Sequence, residues 1–219
     1  NFIKLCQTDF YEGVLFHRVI KEFVAQGGDP SSKAHEPGAL YGDDGGGYTV
    51  PAEILPHYFN KRGALIDAKE IDAENPERAS AGTQFCFVQG HIFKEEEFAE
   101  REARLNEIRR NWLYYRFRDR LKRENPDLSS PDKENELHIQ ASILLEDTLA
   151  ELGPIVIPEE RREVYRTIGG VPHLDGSVTI FGEVVEGLDI VEKMTNVKTD
   201  QNDRPLHDII IKSTKVFQK

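Results

Sequence analysis

Apolar residues follow one period in the middle of this chain and another on either side, and no single type of element accommodates both. From about Lys94 onward, Phe98, Leu105, Ile108, Trp112 and Tyr115 recur at spacings of seven, three and four, the repeat of one helical face. Leu113, Phe117 and Leu121 form a second stripe, so the predicted helix packs against two surfaces. Asn125-Pro126 ends it, because proline lacks the amide donor and disfavours helical backbone at the residue before it. Ser130-Pro131 supplies an N-cap and first-turn pair for a second helix. Its apolar positions Leu137, Ala141, Leu144, Leu145, Thr148 and Leu152 keep the helical period up to Gly153-Pro154. Two antiparallel helices are implied. Pro158, with Glu159 and Glu160 near the positive helix end, is suited to opening a short third, and Gly169-Gly170 to closing it.

The flanks read differently. Up to about residue 93, short runs rich in aromatic and β-branched residues, such as VLFHRVI, FVAQGG and TQFCFVQG, alternate with turn residues and predict strands. Strand texture resumes at VTIFGEVV and HDIIIKS, with GLDIVEKMT between them reading as a short amphipathic helix. The expected organisation is one mainly β domain, residues 1–93 and 171–219, interrupted by a helical insertion over 94–170.

Composition narrows the function classes. A net charge of -11 argues against a nucleic-acid partner, which needs clustered Lys and Arg. No apolar run approaches the length that spans a bilayer. Cys6 and Cys86 lie far apart with no metal-ligand spacing, and the seven histidines form no HxxxH or HExxH pattern, so neither a disulfide framework nor a metal site is expected. Gly45-Gly46-Gly47 lacks the Lys-Ser/Thr of a phosphate-binding loop and reads as a turn.

Four blocks carry more. The stretch Phe16 to Pro30, FHRVIKEFVAQGGDP, resembles the central signature of the cyclophilin family. Gly63-Ala64-Leu65, Ala81-Gly82-Thr83-Gln84-Phe85, and His173-Leu174-Asp175-Gly176 followed by Ile180-Phe181-Gly182 are similar to three further family blocks, in the family's order. The resemblance implies a cyclophilin-like antiparallel β-barrel with capping helices, carrying the helical hairpin as an insertion. It also implies peptidyl-prolyl cis-trans isomerisation of proline-containing polypeptides, with no cofactor or metal. By the same resemblance Arg18 is the catalytic guanidinium; Phe23, Val24, Cys86 and Leu174 line the proline pocket; and Gln26, Gln84 and the backbone near Ala68 hold the substrate. His173 joins the substrate-binding set where the family often has Trp, and Cys86 stands where an aromatic is usual, leaving a smaller pocket wall.

The chemistry suits these residue types. An amide torsion costs roughly 18 to 20 kcal/mol, while the two forms of an Xaa-Pro bond are nearly balanced, so only the barrier needs lowering. Twisting frees the prolyl nitrogen to accept a hydrogen bond, and a permanently charged fork can touch it and the adjacent carbonyl together. No nucleophile or general base is required.

Each residue also has a plain structural reading. An arginine in an apolar strand ordinarily points to solvent, and Phe23, Phe85 and Leu174 would pass as core. A two-residue turn at Lys21-Glu22 would pair Arg18 with Ala25 and send Gln26 to the opposite face, so the isomerase reading demands an irregular turn. The alternative function is a binding or chaperone module whose groove holds proline peptides without catalysis. Two expectations follow from the resemblance alone, and a third from the helical stripes. The family has about two strands before the segment similar to Asn1 to Leu5, so the N-terminal barrel strands are expected to be missing and the exposed edge covered by a partner or another segment. The insertion is similar to that of some Bacteroidetes-type bacterial cyclophilins, often exported ones, which points to the periplasm or cell envelope. The hairpin stripes are expected to pack on the barrel or on each other.

Overall fold

A computed structural model describes residues 1–217. Its centre is a five-stranded antiparallel sheet of β1 (Arg18–Val19), β2 (Val24–Gly27), β4 (Ala64–Asp67), β6 (Phe85–Val88) and β7 (Ile180–Glu183), in the order β1-β2-β6-β4-β7. A separate ribbon pairs β3 (Thr49–Val50) with β5 (Ser80–Ala81). Residues 209–211 continue the sheet beyond β1: the Phe16 amide donates to the Ile209 carbonyl and the Ile211 amide to the Val14 carbonyl. Among the described residues these strands do not close into the barrel that the resemblance implied.

Strand alternation sorts the side chains onto two faces. Tyr11, Phe16, Val19, Ala25, Leu65 and Phe85 form one core. Val24, Ala64, Ile66, Cys86, Val88, Val171 and Val178 form the other. One segment within the region read as strands is a helix, α1 (Phe2–Gln7). Phe2, Leu5 and Cys6 fall at helical spacing on the same side and pack on the first core. That single turn and a half is too short for periodicity to announce.

The central helices are α2 (Phe98–Glu124), α3 (Glu134–Leu152) and α4 (Glu159–Thr167), with α5 (Leu188–Thr195) near the C-terminus. Asn125 takes an extended conformation and ends α2 before Pro126. Ser130 caps a single 3-10 turn, Pro131–Lys133, that runs straight into α3. Ion pairs Arg110–Glu146 and Arg118–Glu134 set α2 and α3 antiparallel, with Leu113, Phe117, Ala141 and Leu145 between them. A further core of Phe93, Phe98, Leu105, Ile157 and Tyr165 joins α2 and α4 to the sheet domain. The chain leaves the sheet and returns at one place. The His91 amide donates to the Gly170 carbonyl at 3.0 Å, and the Gly170 amide to the His91 carbonyl at 2.9 Å.

Candidate active site

The β1–β2 turn is where the sequence left two registers open. Its loop has three residues, Lys21-Glu22-Phe23, closed by the Ile20 amide donating to the Val24 carbonyl at 2.9 Å. Glu22 takes the left-handed conformation, φ 59°, as three-residue hairpin loops require at one position. Its amide donates to Gln89 Oε1 at 2.6 Å, which offsets the strain of that backbone at a non-glycine. The extra residue changes the pairing: Arg18 lies opposite Gln26, and the two share a face.

That register extends across the sheet. Gln26 pairs with Cys86, and Cys86 with Ile66, so Arg18, Gln26, Cys86 and Ile66 form a row over four strands. The row floors an open cavity of about 330 Å³, whose other walls include Phe23, Val24, Ala68 and Leu174. Of the residues the resemblance nominated, Arg18, Phe23, Val24, Gln26, Ala68, Cys86 and Leu174 line this one cavity. Leu174 sits on the Pro172–Leu174 turn, which is anchored from below by Asp175. The Asp175 carboxylate accepts from the Asn60 amide at 2.8 Å and from Tyr165 Oη of α4 at 2.8 Å.

Arg18 is half-exposed at the cavity edge. Its Nη1 donates to Gln26 Oε1 at 3.4 Å, and its Nε lies 3.5 Å from Asp203 Oδ2. Asp203 is held in place because its own carbonyl accepts the Val19 amide, continuing the β1 edge. The sequence reading missed this carboxylate, which sits in a polar turn with no strand or helix period to mark it. Gln26 Nε2 in turn donates to Gln84 Oε1 at 2.9 Å. Gln84 Nε2 donates to the carbonyls of Gly42 and Asp44, so this side chain stands behind Gln26, outside the cavity lining.

His173 is also placed outside that lining. Its ring stacks on Phe23, with centroids 5.7 Å apart and planes 13° apart, and its far side meets α2 at Arg101 and Arg104. Burial, reinforced by those two guanidinium groups, pulls its pKa down to about 4, so it is a neutral, flat support for Phe23 at neutral pH. Cys86 is fully buried, and burial with the nearby Asp67 charge pushes its thiol up to about 12. It therefore offers volume rather than a nucleophile. Asp67, Lys69, Ile71, Asp72, Ile108, Ser177 and Val178 complete the cavity. Of these, Ile108 comes from α2, and nothing in its period distinguishes it from a packing residue.

The fold matches that of known proteins. Two crystal structures of a cyclophilin-type peptidyl-prolyl cis-trans isomerase from Cryptosporidium parvum superpose with a TM-score of 0.53 at 18% identity. The likeness covers all of this chain and 82% and 84% of theirs; one was determined in the presence of the dipeptide Ala-Pro. In sequence, the chain is 28% identical over 218 residues to a Staphylococcus saprophyticus protein assigned by name to the peptidyl-prolyl cis-trans isomerases, covering 79% of it. It is 27% identical over 216 residues to a counterpart from Staphylococcus aureus, covering 78% of that protein. The family described as "Cyclophilin type peptidyl-prolyl cis-trans isomerase/CLD" matches residues 1–100 and 161–216. The chain belongs to that family, and its activity is rotation about Xaa-Pro bonds.

Proposed function

We propose that Arg18 is the catalytic group of this isomerase and that the row Arg18–Gln26–Cys86–Ile66 is the floor on which the prolyl ring lies. The observation that carries the reading is the three-residue β1–β2 turn, which puts the guanidinium and the Gln26 amide side by side at the rim of an apolar cavity. Phe23, Cys86 and Leu174 exclude water from one side of the ring. As the imide twists, its nitrogen pyramidalises and accepts a hydrogen bond from Arg18, whose fork stays charged throughout. Gln26 faces the substrate backbone, and Gln84 fixes Gln26 by tying it to the loop at Gly42 and Asp44. Each tenfold acceleration needs about 1.4 kcal/mol of preferential binding to the twisted form, so one charged donor and a dry pocket suffice for several decades.

Supporting the substrate class, the Cryptosporidium protein was crystallised with Ala-Pro. We read residues 1–93 and 171–219 as the isomerase domain and 94–170 as its helical insertion, a division supported by the family match stopping at residue 100 and resuming at 161. We also favour barrel closure of the sheet, supported by the continuation of its β1 edge through residues 209–211. A cell-envelope location, proposed from the insertion's resemblance, is tested by fractionation.

Exchange spectroscopy on an Ala-Pro peptide tests the assignment of Arg18. Arg18→Ala should reduce kcat/KM by about a hundredfold to a thousandfold, the usual cost of one transition-state donor, while peptide binding persists. Arg18→Lys should recover only part of the loss, since a point charge cannot span nitrogen and carbonyl together. Full activity in Arg18→Ala overturns the assignment.

A further inference from the structure

The cavity that holds Arg18 has a wall from outside the sheet. Ile108 of α2 lines it together with Phe23, Cys86 and Leu174, and so does Ile71, 63% exposed on the Lys69–Arg78 loop. Two large apolar side chains, one half-buried and one exposed, thus flank the cavity on elements that carry no part of the Arg18 row. They are not loosely placed. Asp72, beside Ile71, accepts from Arg78 through both carboxylate oxygens, at 3.0 and 2.8 Å, and from Lys69 Nζ at 3.0 Å. Arg78 is buried, and its guanidinium carbon stands over the Trp112 indole, 4.3 Å from the ring centre. Trp112, one turn beyond Ile108, donates from Nε1 to the Pro76 carbonyl at 2.9 Å. The loop bearing Ile71 and the helix bearing Ile108 are therefore bolted to each other through Arg78 and Trp112. At the other end α2 packs against the Pro172–Leu174 turn, and Arg101, Arg104 and Glu107 share the walls of a second open cavity with His173. The helix crosses from one rim of the groove to the other, with Ile108 between its two supports.

We propose that Ile108 is a specificity-determining residue, forming with Ile71 a fixed apolar lip that receives a bulky aliphatic or aromatic side chain adjoining the substrate proline. The inference rests on the isomerase reading and adds to it a substrate class: Xaa-Pro segments of apolar character, such as those exposed before a polypeptide finishes folding. A lip of this kind removes apolar area from water only when the substrate offers some, so it discriminates by side-chain size. A glycine or aspartate in the same place gains nothing from it. At the rim the Lys69 ammonium is committed to the Asp72 carboxylate, which Arg78 also holds.

The test is isomerisation of two peptide series, varying the residue before and the residue after proline through Gly, Asp, Ala, Leu and Phe. Wild-type protein should prefer Leu or Phe over Gly in one series by about tenfold in kcat/KM. Ile108→Ala should erase most of that ratio, and Ile108→Leu should keep it. Equal ratios in wild type and Ile108→Ala overturn the proposal. In parallel, the δ1 methyl resonance of Ile108 is followed during titration of the wild-type protein with a Leu-Pro peptide. A shift that saturates with binding supports contact; no shift at saturation overturns it. Should wild-type protein isomerise no peptide in either series, the isomerase reading fails, and the methyl titration still decides whether Ile108 meets the bound side chain. Should Ile108→Ala fail to fold, Ile108→Leu and the methyl titration decide.

Discussion

The two walls of the groove are held by different physics. On the sheet side, Arg18, Gln26 and Cys86 are fixed by backbone register: moving any one of them relative to the others means slipping a strand, which would invert every side chain along it. On the helix side, Ile108 is fixed by side chains alone, chiefly the Arg78–Trp112 contact and one indole hydrogen bond. The difference suits the work each wall does. A donor that must meet a twisted nitrogen needs placement that thermal motion barely disturbs, and a β-ladder gives it. An apolar lip needs only contact, and a wall held by side chains can be retuned without touching the chemistry.

The sharpest way to break this contrast is at Gly170, on the border between the walls. Its φ is 155°, and a Cβ there would come within 2.3 Å of the Asn60 carbonyl oxygen. Gly170→Ala should cost about 3 kcal/mol or more in a urea titration and impair both walls together. If Gly170→Ala loses substrate preference yet keeps full stability, the shared border is not structural.

Next comes acid. Each side holds a neutral imidazole, buried at His17 and half-buried at His173. His17, whose ring nitrogens find no partner among the described residues, lies on the sheet side, and His173 faces α2. Burial, chiefly, depresses both to about 4, from an unfolded value near 6.5. Between those values the unfolded chain binds more protons than the folded one, so stability should fall as pH drops from about 6.5 to about 4. For His17 alone the loss is on the order of 3 kcal/mol. Replacing His17→Gln should flatten the sheet's share and His173→Phe the helix side's, read from unfolding midpoints against pH. An unchanged slope in both variants refutes the assignment.

Smaller effects separate the walls. Trp112→Ala should cost about 1.5 kcal/mol, less than a core tryptophan because the ring is half-buried, and raise KM while sparing kcat. A fall in kcat with KM unchanged would show that α2 acts on the chemistry itself. Asp203→Asn, which removes the carboxylate 3.5 Å from Arg18 Nε, should lower kcat by about threefold, the modest effect of a half-exposed ion pair. No change in kcat would mean that Gln26 alone orients the guanidinium.

Legibility in the sequence followed the same division. Helices α2 and α3 were visible because Leu113, Phe117, Leu137, Ala141 and Leu145 keep the period of the surface they bury. The blocks around Arg18, Gln84 and Leu174 carry the family's pattern, and an Arg18–Gln26 pairing requires an irregular turn between them. What could not be read was anything decided by placement in space. The αL backbone of Glu22 selects the register, yet Lys-Glu-Phe carries no glycine or asparagine to announce it. Ile108 keeps the helical period whether it faces core or cavity. Gln84 matched its block, but only the carbonyls of Gly42 and Asp44 show that its amide is occupied.

The mutual hydrogen bonds of His91 and Gly170 carry a consequence for how such a chain can change. Since the backbone comes back to the point it left, the strands cannot sense how much polypeptide runs between. A longer, shorter or wholly different cassette spliced at that junction would leave the guanidinium row undisturbed while replacing the surface that leans over it. The junction is a socket: it fixes where the insertion joins the sheet and leaves open what the insertion is.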